Sequence, residues 1–247
     1  AHVVGWIVVA MVGARSAAMA FNRLVDHAID ARNPRTRSRE LPSGQLSRGP
    51  VWIFTAVMAG LLVIAAWQLN PLCLRLSPLA LAIIFFYSLA KRFTALTHFL
   101  LGLALAIAPV GAWLAVRGSF ASFPLWLGGA VILWVAGFDM IYACQDTRFD
   151  RSEGLHSMSA ALGDQRALLL ARLSHAGSVL CLLIAGRVEE LGMLWSLGIF
   201  ATALLLFYEH WLVRRGDLQN IDKAFFQVNS WVGITLFVFV LGEIYLH

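Results

Sequence analysis

Long runs of apolar residues recur along the whole chain and are separated by short polar segments. Each run contains about 20 residues, which lets a helix cross a hydrocarbon core of about 30 Å. The apolar residues do not alternate with polar ones, as the strands of an outer-membrane barrel require. The pattern predicts an all-α fold, a polytopic transmembrane helical bundle, with eight spans over residues 3–30, 50–69, 72–90, 95–116, 124–146, 165–186, 190–212 and 223–246.

The connections between these spans differ in charge on the two sides of the predicted bundle. Thirteen Lys and Arg residues lie in or beside the loops of one side, and three lie on the other side. An excess of basic residues is typical of cytoplasmic loops. We therefore expect the cytoplasmic side to carry the loops at residues 31–49, 91–94, 147–164 and 213–222.

Composition supports the membrane assignment. The chain has 247 residues, of which 60% are hydrophobic and 13% charged, whereas soluble domains have about 25% charged residues. The net charge of +5 does not indicate a nucleic-acid partner, because the basic residues belong to short loops. The three cysteines have no paired spacing, which predicts buried side chains rather than disulfides or zinc ligands.

The chain starts at Ala1, inside an apolar segment. We therefore expect a single transmembrane domain over residues 1–247 that lacks an N-terminal helix.

Acidic residues occur as two series at the predicted cytoplasmic ends of spans. In the stretch AFNRLVDHAID, Asn22, Asp26 and Asp30 are spaced by four residues and so share one helix face. In GFDMIYACQDTRFD, Asp146 and Asp150 have the same spacing. Like charges at this spacing repel, and acidic residues in membrane segments are rare and usually functional.

The chemistry of these acidic residues favours a metal–phosphate site. Carboxylates are ligands for Mg²⁺, which typically binds through one or two of them together with substrate phosphates. Four carboxylates beside many basic side chains fit a diphosphate bridged by magnesium. A calcium site is an alternative that the surrounding cations oppose unless an anion also binds.

Basic residues near the acidic series fit the same site. In YSLAKRFT, Tyr87 and Lys91 share a helix face and Arg92 follows at the membrane boundary. The alternative for this stretch is an interfacial tyrosine with a positive anchor. The stretch RTRSRELPSG brings several arginines, including Arg39, before a turn that folds the loop back.

Arg15 and Asp139 are the charged residues placed deepest in the predicted spans near these motifs. Arg15 lies seven residues before Asn22, well inside the first span, where an unpaired cation is costly. It should therefore meet a carboxylate, either that of Asp139 or that of a substrate.

With these motifs in order, the chain resembles the UbiA superfamily of intramembrane prenyltransferases over nearly its whole length. The features that carry the resemblance are Asn22-x3-Asp26-x3-Asp30, RTRSRELPSG, YSLAKRFT and DTRFDRSEGLHSM. The details are closest to the 4-hydroxybenzoate polyprenyltransferase branch and its MqnP-like subgroup. The resemblance implies nine helices in the family fold, of which about eight are visible here.

The resemblance also implies roles for individual residues. The four carboxylates would bind two Mg²⁺ ions and the diphosphate, supported by Asn22, and the basic side chains would contact the diphosphate. Two tyrosines would flank the allylic carbon, and one arginine would hold the carboxylate of an aromatic acid. The proton-accepting base would be Asp139 or a site carboxylate. The residues in these roles are, for metal, Asp26, Asp30, Asp146 and Asp150; for the diphosphate, Lys91, Arg39 and Arg92; for the allylic carbon, Tyr87 and Tyr142; and for the acceptor, Arg15.

We therefore expect magnesium-dependent transfer of a polyprenyl group from polyprenyl diphosphate to 4-hydroxybenzoate or a dihydroxynaphthoate in ubiquinone or menaquinone biosynthesis. The expected location is the bacterial inner membrane, with lipid as the surroundings and with neither a nucleic acid nor an obligate protein partner. Alternatives are a cation-coupled transporter that uses the same acidic residues, and family chemistry on homogentisate, haem or chlorophyllide.

Overall fold

The structure, a computed structural model, describes residues 2–214 and 221–246. All the regular secondary structure in these ranges is helical. The α-helices are α1 (His2–Arg32), α2 (Arg48–Leu69), α3 (Pro71–Ala90), α4 (Thr97–Arg117), α5 (Ser122–Ala143), α6 (Thr147–Ser152), α7 (Met158–Leu162), α8 (Asp164–Val188), α9 (Met193–Leu212) and α10 (Asn229–Leu246), and a π-helix covers Lys223–Val228.

The predicted spans are confirmed. Among the described residues, eight helices are long and apolar enough to cross a membrane. Most of their ends lie within two or three residues of the predicted limits. The predicted cytoplasmic loop at residues 213–222 lies mostly outside the described residues, and Arg215 is among the residues not described.

The end of the fifth span differs from the prediction. We expected one helix to continue to Asp146, but α5 ends at Ala143. The amides of Cys144, Gln145 and Asp146 each bond to the carbonyl three residues earlier, and such turns tighten a helix end. Asp146 is the N-cap of the short helix α6, so the second acidic series is not carried by one continuous helix.

The helices group into two compact units. The first unit contains residues 1–93 and 107–120. In it, α1 packs on α2 and α3. Gly13 permits the approach of α1 to α2, because a Cβ there would lie 2.9 Å from the carbonyl oxygen of Met58. Small residues at helix contacts are typical of membrane proteins.

The second unit contains residues 94–106 and 121–247. Its centre is the pair α5 and α8, and α9 packs on α8 and α10. Gly137 on α5 faces the imidazole ring of His175, and a Cβ at this position would overlap that ring. A core of small and medium side chains, including Ala136, Met140 and Ala171, packs at the C-terminal half of α5 and the N-terminal half of α8.

Large apolar side chains cover much of the outer surface of the helices. Trp67 is 66% exposed, Phe207 73% and Tyr245 81%. Extensive exposed apolar surface indicates contact with a membrane or a partner. Together with the span lengths, it shows an integral membrane protein with lipid as its surroundings.

Candidate active site

The first acidic series lies on the buried face of α1, in the first unit. Asp26 is 3% exposed and Asp30 is 5% exposed. The side-chain amide of Asn22 donates a hydrogen bond of 3.2 Å to Asp26 Oδ2. The four-residue spacing therefore places these three polar groups along one stripe, as predicted.

Basic side chains neutralise both carboxylates. Lys91 Nζ lies 2.6 Å from Asp26 Oδ2, and Arg92 lies 3.1 Å from the other oxygen of the same carboxylate. Arg39 donates to both oxygens of Asp30, at 2.9 and 2.8 Å. Because buried carboxylates need such partners, these ion pairs explain how two aspartates can be buried on one face of α1.

The loop after α1 brings Arg39 back to this face. Thr36 is buried and its hydroxyl donates to the carbonyl of Asp30 at 3.2 Å, which satisfies one of the last carbonyls of the helix. Leu41 is buried against Ala20 and Leu24. Gly44 adopts a positive φ of 78° and closes the turn. The RTRSRELPSG segment therefore folds back on the end of α1, and its predicted place over a diphosphate site stays a prediction.

Lys91 and Arg92 are set by the end of α3. Lys91 is the C-cap residue of this helix. Arg92 donates to the carbonyl of Ser88 at 3.0 Å and to the carbonyl of Val25 at 2.6 Å. The guanidinium is therefore held at the boundary of α3 and α1, where it faces Asp26.

In the second unit, Asp139 pairs with His98. Nδ1 of His98 lies 2.7 Å from Asp139 Oδ2, and the amide of Met158 donates to His98 Nε2 at 3.2 Å. Because Nε2 accepts a hydrogen bond, the proton of a neutral ring is on Nδ1 and is donated to the carboxylate. His98 thus joins α5 to the start of α7.

Asp146 and Asp150 begin the segment between α5 and α8. The amide of Asp150 bonds to the carbonyl of Asp146 at 2.8 Å, so the two residues lie one turn apart and both are half-buried. The Thr147 hydroxyl donates to Asp164 Oδ1 at 2.6 Å. The Ser159 hydroxyl donates to the carbonyl of Ala143 at 3.2 Å. These bonds fix the segment against the end of α5.

Aromatic rings lie along one face of α5 and lead towards Asp146. Tyr142 stacks on Phe225 of the π-helix, with ring centroids 4.2 Å apart. Phe225 also meets the ring of Phe138 edge to face at 5.3 Å. The second predicted tyrosine, Tyr87, is half-buried in the first unit on α3.

Comparison with known proteins identifies the family. Residues 1–231 match the UbiA prenyltransferase family. The chain belongs to this family. Membership confirms the predicted resemblance and the prediction of an enzyme of the aromatic prenyltransferase class.

Two relatives of this UbiA-family chain are named 4-hydroxybenzoate octaprenyltransferase. The protein from Pseudomonas fluorescens (strain SBW25) is 30% identical over 236 residues, which cover 96% of this chain and 79% of the relative. The protein from Marinobacter nauticus is 31% identical over 228 residues, which cover 91% of this chain and 76% of the relative. The finer MqnP-like assignment stays a prediction.

Solved structures agree with the UbiA fold. A UbiA homologue from Aeropyrum pernix K1, in its apo form, has a TM-score of 0.89 and 34% identity, covering 97% of this chain and 88% of that one. A UbiA homologue from Archaeoglobus fulgidus, bound to GPP and Mg²⁺, has a TM-score of 0.75 and 19% identity, covering 99% and 87%. At 19% identity, the similarity to the Archaeoglobus fulgidus homologue shows a shared fold and nothing more.

The UbiA-family chain thus brings part of its predicted site together within each unit. The first unit assembles Asn22, the first carboxylate pair and the predicted diphosphate cations. Arg15, in contrast, is exposed and forms no ion pair with the described residues of its own unit. Asp139, one of its two suggested partners, lies in the second unit and pairs there with His98. The assignment of a carboxylate partner to Arg15 stays a prediction.

Sequence reasoning missed two residues of this prenyltransferase. Arg23 lies 4.0 Å from Asp30, and its position next to Asn22 in the motif was a signal for this. His98 is 2% exposed but lies 41 residues from Asp139, and no local spacing connects them.

The prediction of buried cysteines holds for Cys144 at the end of α5, whereas Cys73 and Cys181 are only half-buried. Cys144 is buried and its thiol donates to the carbonyl of Met140 at 3.4 Å. Burial, with the nearby charge of Asp164, raises the pKa of this thiol to about 12. The residue is therefore a neutral packing group and not a thiolate nucleophile.

Proposed function

We propose that this chain transfers a polyprenyl group from polyprenyl diphosphate to 4-hydroxybenzoate or a dihydroxynaphthoate, as a step of ubiquinone or menaquinone biosynthesis. The names of the relatives support an aromatic acid as acceptor. The observation that carries the proposal is the buried pair Asp26 and Asp30 among the side chains of Lys91, Arg92 and Arg39.

The donor set of this pair fits Mg²⁺. Among the described residues, no three His, Cys, Asp or Glu side chains are grouped to hold a metal ion by themselves. Mg²⁺ does not need such a cage, since it usually binds one or two carboxylates together with substrate phosphates and water. Asp26 and Asp30 supply two carboxylates one turn apart, with cations at hand for the phosphate charge.

The second acidic pair has the same chemistry. We assign Asp146 and Asp150 to magnesium and diphosphate as well, with Asn22 supporting the first pair and two ions as the expected number. The Archaeoglobus fulgidus homologue is described as bound to GPP and Mg²⁺, which supports a metal-bound prenyl diphosphate as the donor substrate.

The proposed reaction breaks the bond between the allylic carbon and the diphosphate oxygen. When bound, Mg²⁺ would stabilise the negative charge that develops on the departing diphosphate. Lys91, Arg92 and Arg39 exchange their carboxylate partners for phosphate oxygens and stabilise the same charge. From the family resemblance we assign Tyr87 and Tyr142 to the allylic carbon, because aromatic ring faces attract positive charge.

The new carbon–carbon bond forms from the electron-rich ring of the acceptor, and the ring then loses a proton. We assign this proton to Asp139 or to a site carboxylate. Asp139 is 24% exposed in its side chain and is held by His98, so one oxygen is oriented by a hydrogen bond while the group keeps an accessible surface.

The charge pattern supports a location in a bacterial inner membrane with the acidic motifs at the cytoplasmic side. Thirteen basic residues lie in or beside the loops next to these motifs and three on the other side. A soluble aromatic acid and a diphosphate head group then reach the site from the cytoplasm, and the prenyl chain stays in lipid.

Turnover by the purified full chain tests the proposed function. The protein in lipid nanodiscs is given a polyprenyl diphosphate, Mg²⁺, and 4-hydroxybenzoate or a dihydroxynaphthoate in parallel, and products are identified by mass spectrometry. We expect a prenylated acid and free diphosphate, both lost when EDTA removes the metal. Absence of product with every acceptor, beside an active family member as the assay control, would contradict the proposal.

Arg15→Ala should raise the acceptor KM about tenfold, the scale of a lost hydrogen bond to a charged group. The KM for the polyprenyl diphosphate should change less than twofold, because Arg15 is not among the cations around Asp26 and Asp30. Steady-state kinetics with each substrate varied in turn measure both values. Arg75→Ala is the matched control, since Arg75 is another exposed arginine of the first unit. Equal effects on both substrates would exclude a specific contact with the acceptor.

A further inference from the structure

A polar cluster lies inside the second unit, on residues that no part of the proposed reaction uses. Its centre is Asn229, the first residue after the π-helix. The side-chain amide of Asn229 donates to Glu209 Oε1 at 3.1 Å, and its oxygen accepts from Trp134 Nε1 at 2.8 Å. Glu209 is completely buried. Polar groups within membrane spans are costly and usually functional.

Asn229 also stabilises the π-helix itself. Its side-chain nitrogen donates to the carbonyl of Phe225 at 3.0 Å and lies 3.3 Å from that of Ala224. A π-helix changes the register of backbone hydrogen bonds, and in a bilayer each carbonyl needs a partner. Single π-turns inside α-helices are frequent at functional sites. The four partners of the Asn229 side chain therefore hold an irregular turn in one conformation.

That turn presents Phe225 to α5. The ring of Phe225 stacks on Tyr142 at 4.2 Å with an interplanar angle of 30°, and meets Phe138 edge to face. Trp134, which donates to Asn229, lies one turn before Phe138 and contacts its ring at 5.6 Å. The polar cluster and the aromatic rings thus form one connected arrangement along α5, and its last ring, that of Tyr142, lies four residues before Asp146.

We propose that Asn229 is a positioning residue for the aromatic wall of Phe225 and Tyr142, and that the prenyl chain next to the allylic carbon of the donor substrate binds against this wall. The inference rests on the proposed function, because Tyr142 contacts substrate only in that reaction. Phe225 is then a substrate-binding residue, and Glu209 and Trp134 act through Asn229. A regular apolar helix would pack at a lower free-energy cost than a turn held by a buried carboxylate. The irregular turn is therefore explained if it serves to orient the ring of Phe225.

Two single variants and their combination test the proposal. Phe225→Leu removes the ring that stacks on Tyr142. Asn229→Ala removes the hydrogen bonds that orient the turn. Each should raise the KM for the polyprenyl diphosphate about fivefold, the scale of one aromatic pair, and change the acceptor KM less than twofold. The double variant should be no worse than the poorer single variant, because both act on the same ring.

Ser178→Ala is the matched control for loss of a buried membrane hydrogen bond. Ser178 is in the same unit and donates to the carbonyl of Ala130 at 2.8 Å, away from the aromatic wall. It should lower the thermal midpoint in detergent without changing either KM. Phe225→Tyr keeps an aromatic ring and should raise the donor KM less than Phe225→Leu does.

The outcomes separate the two proposals. If the native chain gives no prenylated product, the proposed function fails. If the native chain is active but Asn229→Ala and Phe225→Leu match Ser178→Ala, or their effects add, the positioning role of Asn229 is wrong and the proposed function stands. If Asn229→Ala does not fold, the donor KM of Phe225→Leu compared with that of Phe225→Tyr decides whether the wall binds the prenyl chain. In that case Trp134→Phe tests the positioning role, because it removes one hydrogen bond to Asn229.

Discussion

Asp26→Asn is expected to lower kcat about 10³-fold, the upper range for loss of one strong electrostatic contact in an active site. The substitution keeps the shape of the side chain and removes the charge that would hold the metal. It also leaves Lys91 and Arg92 without their carboxylate partner. We therefore expect the free energy of unfolding to fall by about 2 kcal/mol, the value of a hydrogen bond to a charged group. Turnover at saturating Mg²⁺ and thermal unfolding in detergent measure the two effects.

Two further variants separate catalysis from stability at this position. Glu40→Gln removes an exposed carboxylate in the loop of the same unit and should change neither property. Asp26→Glu keeps the charge and should retain much of the stability while turnover stays low, because the longer side chain displaces the carboxylate. Turnover of Asp26→Asn within tenfold of the native value would exclude Asp26 as a metal ligand.

Asp146→Asn is expected to reduce turnover by a similar factor, about 10³-fold, and to leave the protein folded. Asp146 is half-buried at the N-cap of α6, so the loss of its charge should lower the free energy of unfolding by less than about 1 kcal/mol. Titration with Mg²⁺ should show activation shifted to higher concentration. The measurement is initial rate against Mg²⁺ concentration, with the thermal midpoint recorded on the same sample.

Asp164→Asn is the matched control for the second unit. Asp164 accepts a hydrogen bond from Thr147, and the amide oxygen of asparagine preserves it. We expect native turnover and native Mg²⁺ dependence for this variant. If Asp164→Asn lost as much activity as Asp146→Asn, the loss would reflect disturbance of the α6 segment rather than removal of a metal ligand.

The span prediction succeeded because it depends on length and polarity alone. A helix that crosses a bilayer must be apolar for about 20 residues, and its backbone satisfies its own hydrogen bonds. The failure at α5 has a local cause, since three successive tight turns end the helix at Ala143. Hydropathy cannot register this end, because polar residues are equally compatible with a longer helix there.

Spacing along one helix also predicted part of the candidate site. Asn22, Asp26 and Asp30 share a face because residues four apart lie on the same side of a helix. The return of the loop that carries Arg39 was predicted from the turn residues that follow it, and the contact of Arg39 with Asp30 is what the structure adds. In both cases the interacting groups are close in the chain, where local geometry decides the contact.

The other partnerships depend on packing. Lys91 lies 65 residues from Asp26, His98 lies 41 residues from Asp139, and Asn229 lies 95 residues from Trp134. Such pairs form only when particular helices meet at particular depths, and the apolar residues that direct this packing are largely interchangeable.

The sequence by itself therefore determined the membrane class, the eight spans and the acidic stripe of α1, because these follow from helix geometry and the cost of polar groups in lipid. The tertiary structure decided which cation neutralises which carboxylate, which histidine orients Asp139, and which residue holds the π-helix. A buried charge selects its partner by distance in space, and only the folded chain sets that distance.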